Sequence, residues 1–435
     1  MDAFNQTTFA DAPPGIRAKR VQRRTIVAAA LGNGLEFFDF TVYSFFSALI
    51  GKLFFPASTE LAALMLSLAT FGVGFIARPL GSIVIGAYAD RAGRKPALTL
   101  TVLLMAAGTG VIGLAPTYAS IGVAAPLIIV AGRLLQGFSA GGEVGAATTF
   151  LMESGGRNQG ALVSWQMASQ GGAVLAGALV AMTLVRTLPP VALEAWGWRV
   201  PFLLGLAIGP VGLYLRAFLE DTLPQAAHRP RAATRRPKLW LRQIACGTMI
   251  VIGGTGTLYT VVYFLPSYLS MTLGTPASTS LAAACVAGLV VLVGSPFAGR
   301  LTDRFANRKP LIYGTSISAC VLLLPAFHAI HTYPSLPLIT GVVAVLVGLM
   351  TLSSPAAFVL ILQAFGPEVR ATSLGVIYAI GVTLFGGFAQ LIVIGLWHWS
   401  GNFYAPAWYV MGCSAISILG VALFNEGSSE DSRLQ

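Results

Sequence analysis

The chain has 435 residues, of which 55% are hydrophobic and only 10% are charged, and its mean hydropathy is +0.76. This composition excludes an ordinary soluble protein, in which about a quarter of the residues are charged, and it indicates an integral membrane protein. The formal net charge of +11 comes mostly from basic residues outside the apolar stretches. We interpret these residues as a sign of how the protein is oriented in the membrane, and no nucleic-acid partner is expected.

Apolar stretches long enough to cross a hydrocarbon core of about 30 Å recur along the whole chain. We predict twelve spans, numbered 1 to 12, at residues 25–50, 60–86, 97–115, 122–152, 160–183, 199–219, 243–265, 278–298, 310–330, 336–364, 372–396 and 405–424. The predicted organisation is a cytoplasmic tail, a six-helix bundle, a cytoplasmic linker, a second six-helix bundle and a second cytoplasmic tail. Their bounds are 1–24, 25–219, 220–242, 243–424 and 425–435.

Lysine and arginine are distributed unevenly between the two ends of these spans. If the N-terminus is cytoplasmic, 22 of the 27 basic residues lie on cytoplasmic segments, three lie on external segments and two lie within spans. This asymmetry follows the positive-inside rule. It predicts cytoplasmic N- and C-termini in a bacterial-type inner membrane, with the basic linker beside anionic membrane lipid.

The two halves of the chain carry a repeated segment after spans 2 and 8. Residues 86–96 read GAYADRAGRKP and residues 299–310 read GRLTDRFANRKP, with one residue inserted, and Asp90 and Asp303 are 213 residues apart. Parallel repeats on either side of a central loop are the plan of major facilitator transporters, whose site lies at the repeat interface. The sequence therefore predicts an all-α integral membrane protein with the major facilitator fold, twelve transmembrane helices in two six-helix bundles.

One face of span 1 carries four polar residues spaced three or four positions apart, namely Asn33, Glu36, Asp39 and Tyr43. An ionisable side chain costs at least about 2.5 kcal/mol at the bilayer centre, so such residues mark substrate or ion pathways. Neighbouring carboxyl groups shielded from water favour protonation of one of them. Glu36 and Asp39 are therefore predicted proton-coupling residues. The alternative is that one of them only pairs with an arginine to hold the first bundle together.

Two arginines lie within predicted spans, Arg78 in span 2 and Arg133 in span 4. A guanidinium group suits bidentate binding of a carboxylate, so Arg133, with Gln136 on the same helix face, is predicted to bind an anionic substrate. Arg78 is predicted to bind substrate or to act as a counter-ion for span 1. Glu143 lies about 15 Å from Arg133 along the helix, and it is predicted to be a second proton site or an inner gate, or else to pair with a neighbouring helix.

Neutral hydrogen-bonding side chains complete the predicted substrate site, because the second half has no charged residue within its spans. The predicted ligands of this kind are Asn33, Gln136, Ser164, Gln166, Gln170, Tyr259, Tyr263 and Tyr378. The serine and glutamines of span 5 have an alternative role in bonding helix to helix, and the three tyrosines have an alternative role in packing. No nucleophile-base pair, phosphate loop or metal-ligand spacing is present, so neither an enzyme nor a cofactor or metal is expected.

The repeated loops have a predicted mechanical role. A carboxylate at the cytoplasmic end of a span can bond the exposed start of another helix, or pair with a nearby arginine, and this latch must break when the inward face opens. The predicted cytoplasmic gate consists of Asp90, Arg91, Arg94, Asp303, Arg304 and Arg308.

Four segments carry a family resemblance: GNGLEFFDF at 32–40, ARPLG at 77–81, the Asp90 loop, and GRLLQGFSAGGE at 132–143. With them the chain resembles the metabolite:proton symporter family of the major facilitator superfamily. It is most similar there to citrate and tricarballylate carriers, through FFPA at 54–57, SWQMASQ at 164–170 and WGWRVPF at 196–202.

The resemblance implies proton-driven uptake of a small carboxylate, such as the tricarboxylate citrate, by a monomer that works by alternating access. Other metabolites of the family remain open as substrates, including a dicarboxylate, a shikimate-like acid or a zwitterionic osmolyte. A sensor that binds ligand without transport, a channel and a membrane enzyme are the alternatives from other functional classes.

Overall fold

The computed structural model describes residue 30 and residues 32–92, 94–141, 143–154, 156–217, 237–367 and 369–425. Within these ranges the chain consists of helices joined by short connections, because a helix satisfies its own backbone hydrogen bonds in a bilayer. The N-terminal tail and most of the linker and C-terminal tail lie outside the described residues. So do the side chains of Asp90, Arg91, Arg94 and Glu143.

All twelve predicted spans coincide with helical segments. Span 1 comprises Gly32–Phe45 and Ser47–Phe54, span 2 Glu60–Ala92, span 3 Arg94–Leu114, span 4 Ala124–Ala140 and Glu143–Glu153, span 5 Gln159–Thr187 and span 6 Arg199–Ala217. Span 7 comprises Pro237–Thr257, the π-helix Leu258–Phe264 and Leu265–Leu273, and span 8 is Ala277–Arg304. Span 9 is Lys309–Thr332, span 10 Leu336–Gln363, span 11 Arg370–Val382, the π-helix Thr383–Gly387 and Ala389–Ser400, and span 12 Ala405–Leu423.

Among the described residues, eight helices are long and apolar enough to cross a membrane, or nine if the bent pair of span 1 counts as one. Spans 3 and 4 contain the shorter apolar helices Thr99–Leu114 and Ala124–Ala140.

Two spans differ from simple helices of the predicted length. Span 1 bends by 65° between its two helices. The described helical residues of span 7 run from Pro237 to Leu273, beyond the predicted 243–265. A π-helix often occurs at functional sites, and the one in span 7 carries two of the predicted tyrosines.

The sequence repeat is also a repeat of helix packing. In the first half, span 4 packs on spans 2 and 3, and span 3 packs on span 6, while spans 8, 9, 10 and 12 make the equivalent contacts in the second half. The halves meet where span 5 packs on span 8 and span 2 packs on span 11. These two contacts are equivalent under the repeat, so the two bundles face each other across a pseudo-symmetric interface.

The contact between spans 5 and 8 requires small residues. A Cβ added at Gly171 would lie 2.8 Å from the carbonyl oxygen of Gly288, and one added at Gly288 would lie 2.9 Å from the carbonyl oxygen of Gly171. Glycine therefore allows the two backbones to approach closely, as small residues generally do between membrane helices.

Candidate functional site

Glu36 and Arg78 form a buried ion pair between spans 1 and 2. Nη2 of Arg78 lies 3.4 Å from Oε1 of Glu36, and the two side chains are 2% and 4% exposed. This is the geometry of the counter-ion role considered for Arg78. It places both charges in the interior of the first bundle, away from bulk water.

Asp39 belongs to a second polar cluster, three residues further along span 1. The Thr109 hydroxyl donates a hydrogen bond to Oδ2 of Asp39. Nε2 of Gln136 lies 3.0 Å from the Thr109 hydroxyl and 3.4 Å from the same carboxylate oxygen. Nη1 of Arg133 in turn donates to Oε1 of Gln136 at 2.9 Å. The amide of Gln136 therefore links the arginine of span 4 to the carboxylate of span 1.

Aromatic rings surround the two guanidinium groups. The guanidinium carbon of Arg133 lies 4.7, 4.4 and 4.8 Å from the ring centroids of Phe40, Tyr43 and Phe71. The same ring of Phe40 lies 4.8 Å from the guanidinium carbon of Arg78. Cations are attracted to the faces of such rings, and more strongly where water is excluded. The sequence places Tyr43 on the polar face of span 1, but it offered no signal that separates Phe40, Phe71 or Thr109 from ordinary packing residues of apolar spans.

Both arginines retain hydrogen-bonding capacity. Nε and Nη1 of Arg78, and Nε and Nη2 of Arg133, are buried and have no hydrogen-bond partner among the described residues. Buried polar groups in proteins are normally hydrogen-bonded, and buried charges especially so. These four nitrogen atoms can therefore donate to the oxygen atoms of an anionic ligand.

A cavity with about 820 Å³ of empty space lies in the second bundle, bordered by span 5 of the first bundle. It brings together three predicted ligands, Gln170 from span 5, Tyr259 from span 7 and Tyr378 from span 11. Its other polar lining consists of serine and threonine side chains, and no charged side chain lines it within the described part of the chain. Phe75 connects Arg78 to this lining, because its ring centroid lies 4.2 Å from the guanidinium carbon of Arg78 and 5.6 Å from the ring centroid of Tyr259.

Five of the predicted neutral ligands lie outside this cavity lining, and Gln136 of the Asp39 cluster is one of them. Asn33 donates to the carbonyl oxygen of Gln166 at 3.0 Å, while the side-chain oxygen of Gln166 accepts from Thr148. Ser164 bonds the backbone of its own helix at 2.8 Å. The hydroxyl of Tyr263 lies 3.5 Å from that of Thr41. In this conformation Asn33, Gln166 and Tyr263 join different helices, whereas Ser164 bonds within its own helix.

Asp303 bonds the exposed start of another helix, as predicted for the repeated loop. Its two carboxylate oxygens accept from the backbone amides of Gly160 and Ala161, at 2.7 and 2.9 Å. Glu153 and Arg370 form an ion pair of 2.8 Å close by. Both contacts join the first half of the chain to the second, at the ends of the spans that are predicted to be cytoplasmic.

Glutamine side chains extend this set of contacts. Arg308 donates to Oε1 of Gln363 at 2.7 Å, and Nε2 of Gln363 donates to Oε1 of Gln159 at 2.7 Å. The Arg304 side chain is exposed. Three sets of contacts at the ends that are predicted to be cytoplasmic together form what we call the cytoplasmic clasp. They are the ion pair Glu153–Arg370, the hydrogen bonds from the Gly160 and Ala161 amides to Asp303, and the hydrogen bonds Arg308–Gln363–Gln159.

Comparison with known proteins identifies the family. The sequence profile of the Major Facilitator Superfamily matches residues 29–389 and 244–433. The citrate-proton symporter of Klebsiella pneumoniae is 35% identical over 400 residues, which cover 91% of this chain and 90% of that protein. The glycine betaine/proline/ectoine/pipecolic acid transporter of Dickeya dadantii (strain 3937) is 33% identical over 420 residues, covering 91% and 82%.

The fold has solved counterparts as well. The crystal structure of a D-xylose-proton symporter matches with a TM-score of 0.74 at 19% identity, covering 92% of this chain and 96% of that one. Profile, relatives and fold agree with the helical two-bundle architecture: the chain belongs to the Major Facilitator Superfamily of membrane transporters.

Proposed function

We propose that this protein is a proton-coupled symporter that takes up a small carboxylate, with a tricarboxylate such as citrate as the leading candidate. It works as a monomer in a bacterial-type inner membrane, with cytoplasmic termini and without a cofactor. One observation carries the proposal: the first bundle buries two guanidinium groups and two carboxylates together, and a neutral polar cavity of the second bundle borders on span 5 of the first.

The coupling follows from the balance of these four charges. When Glu36 and Asp39 are both ionised, they neutralise Arg78 and Arg133. A proton on either acid leaves one buried positive charge without compensation, which is unfavourable in a poorly solvated site. A substrate carboxylate restores the balance. Proton binding therefore favours anion binding, and anion binding favours proton binding to the same extent.

The site residues divide into two groups. Glu36 and Asp39, with Glu143 as a further proton site, carry the protons. Arg78, which reaches Tyr259 of the cavity lining through Phe75, and Arg133 bind the substrate carboxylate. The neutral ligands donate hydrogen bonds to the remaining substrate oxygens: Gln170, Tyr259 and Tyr378 from the cavity lining, with Asn33, Gln136, Ser164, Gln166 and Tyr263 after helix movement.

Alternating access uses contacts on both sides of the cavity. The cytoplasmic clasp joins the halves on one side. On the other, the Ser44 hydroxyl lies 3.2 Å from the carbonyl oxygen of Tyr263, and the Gln390 amide donates to the same hydroxyl at 3.0 Å. Each set must open while the other stays closed. Asp303 acts in the clasp with Arg304 and Arg308, and Asp90 acts with Arg91 and Arg94 in the equivalent loop.

The proposal is tested by uptake of radiolabelled citrate into proteoliposomes with an acid-outside pH gradient. Accumulation above the external concentration, abolished by a protonophore, is the expected result. Accumulation that is unaffected by the protonophore would contradict proton coupling. Empty liposomes and liposomes containing the Arg78→Gln variant serve as controls.

A zwitterionic osmolyte is the second candidate substrate, because the Dickeya dadantii relative is nearly as similar as the citrate-proton symporter. An osmolyte such as glycine betaine carries one carboxylate and no net charge, so one arginine suffices to bind it. Unlabelled glycine betaine, a dicarboxylate and citrate are therefore compared as competitors of uptake. If glycine betaine competes and citrate does not, the tricarboxylate assignment is wrong while the symport mechanism stands.

A further inference from the structure

A second cavity, with about 490 Å³ of empty space, lies inside the first bundle. Spans 1, 3, 4 and 6 enclose it, and its lining includes both acidic residues of span 1. Residues that define its extent are Gly32, Glu36, Asp39, Thr101, Thr109 and Gly205. None of the described residues that line it belongs to the second half of the chain, so it is separate from the cavity of the second bundle.

This bundle cavity extends from Asp39 towards the end at which span 1 begins. Gly32 precedes Asp39 by seven residues on span 1, and Thr101 precedes Thr109 by eight on span 3. At 1.5 Å per residue these separations correspond to about 10 and 12 Å along the helices. Both point to the same face of the membrane, which the distribution of basic residues assigns to the cytoplasm.

One carboxylate oxygen of Asp39 is directed into this cavity. Oδ2 accepts the Thr109 hydroxyl, whereas Oδ1 has no hydrogen-bond partner among the described residues, although Asp39 is only 3% exposed. A Cβ added at Gly205, which lines the cavity, would collide with Oδ1. A buried carboxylate oxygen normally accepts a hydrogen bond, so this atom is placed to exchange a proton with water in the cavity.

We propose that the bundle cavity is the route by which the transported proton leaves Asp39 for the cytoplasm, separate from the route of the substrate. In this step the O–H bond of the protonated carboxyl breaks, and its proton passes to a water molecule, leaving the carboxylate and a hydronium ion. Glu36 lies on the same cavity wall, and the Thr101, Thr109 and Ser139 side chains also line it. Arg133 stabilises the carboxylate that remains, through Gln136.

Separate routes have a mechanistic consequence. The substrate leaves through the interface once the clasp opens, whereas the proton crosses only the interior of one bundle. Proton release can then be blocked without blocking substrate movement. This inference rests on the proposed function, so it is tested with one readout that needs no substrate and one that does.

The first test measures whether water reaches the cavity from the cytoplasmic side. The native cysteines, all in the second half of the chain, are replaced by serine, and a single cysteine is introduced at Ala106, which lines the cavity. Leu103, on the same helix but 51% exposed on the outer surface of the bundle, provides the control. A small charged methanethiosulfonate is added to inside-out and right-side-out vesicles.

We expect labelling of the Ala106→Cys protein at least about tenfold faster than that of the Leu103→Cys protein, and in inside-out vesicles only, since a charged reagent reacts only where water is present. Equal rates for the two positions, or labelling from the external side, would overturn the route. This readout does not depend on the identity of the substrate.

The second test fills the cavity beside Asp39. Gly205→Ala places a methyl group against Oδ1, whereas Gly110→Ala, in the same contact between spans 3 and 6, meets only Leu206 at 3.7 Å. Radiolabelled citrate is followed as counterflow, which needs no net proton release, and as accumulation driven by the pH gradient. Gly205→Ala should keep counterflow and lose accumulation by at least about tenfold, and Gly110→Ala should keep both.

Equal loss of counterflow and accumulation in Gly205→Ala would show that the substitution only disturbs packing, and no loss in either would show that the cavity is not used. Each result overturns the separate route. If the wild-type protein does not transport citrate, the tricarboxylate assignment fails by itself, and the labelling experiment still decides the proton route.

Discussion

Glu36 and Arg78 form a 3.4 Å ion pair in which neither side chain is more than 4% exposed. Removal of one partner leaves the other as a buried uncompensated charge, which costs about 3–5 kcal/mol in proteins, whereas removal of both is often close to neutral. Substitutions in this pair therefore test whether the two buried charges compensate each other.

We expect Glu36→Gln and Arg78→Gln each to lower the melting temperature in detergent by more than the Glu36→Gln/Arg78→Gln double variant. Thermal unfolding of the four purified proteins measures this directly. Additive losses in the double variant would mean that the two side chains do not compensate each other.

Asp39→Asn should separate substrate exchange from proton coupling. Asparagine keeps the size of the side chain and an oxygen that can accept the Thr109 hydrogen bond, but it cannot carry the proton. We expect counterflow of citrate to persist and gradient-driven accumulation to fall by at least about tenfold, equivalent to about 1.4 kcal/mol of lost driving force. Accumulation at the wild-type level would remove Asp39 from the coupling mechanism.

Arg133→Lys keeps the positive charge but replaces the rigid guanidinium fork. Three aromatic rings and the side chain of Gln136 contact the planar guanidinium group of Arg133. Because an ammonium group cannot make the same contacts, we expect Arg133→Lys to lower the affinity for citrate by about 10- to 100-fold, or about 1.4–2.8 kcal/mol. Substrate-induced thermal stabilisation measures binding in the folded protein. The Arg133→Ala protein should show no stabilisation at all, and an unchanged shift there would exclude Arg133 from the substrate site.

Asp303→Asn weakens the acceptors of the Gly160 and Ala161 amides in the cytoplasmic clasp. Hydrogen bonds to a charged group contribute about 1.5–3 kcal/mol, against about 1 kcal/mol for neutral ones. We expect a change in the maximal rate of uptake of several-fold with little change in apparent affinity, because the contact forms and breaks with each cycle and does not touch the cavity.

The matched control is Lys52→Gln, which removes an exposed ion pair with Glu194 within the first half. Such surface pairs contribute about 0–1 kcal/mol, so transport should remain near the wild-type level. A purely affinity-based defect in Asp303→Asn would contradict the gating role.

Much of the architecture was predictable because the bilayer restricts what a chain can do. Apolar stretches of suitable length must be helices, and a repeated loop after spans 2 and 8 implies two equivalent bundles. The fold prediction is therefore confirmed by the helices and by the family match. The bend in span 1 and the π-helix in span 7 were not predicted, since hydropathy indicates the length of a span and not its shape.

For the site, the sequence by itself determined which charged side chains must be buried. Glu36, Asp39, Arg78 and Arg133 lie within apolar spans, where exposing a charge to lipid is costly. Only the tertiary structure decided their partners. Each further residue turns a side chain by about 100° around its helix, and the rotation of each span is set by its neighbours. That is why Glu36 contacts Arg78 while Asp39 contacts Thr109, although the two acids lie three residues apart on one helix face.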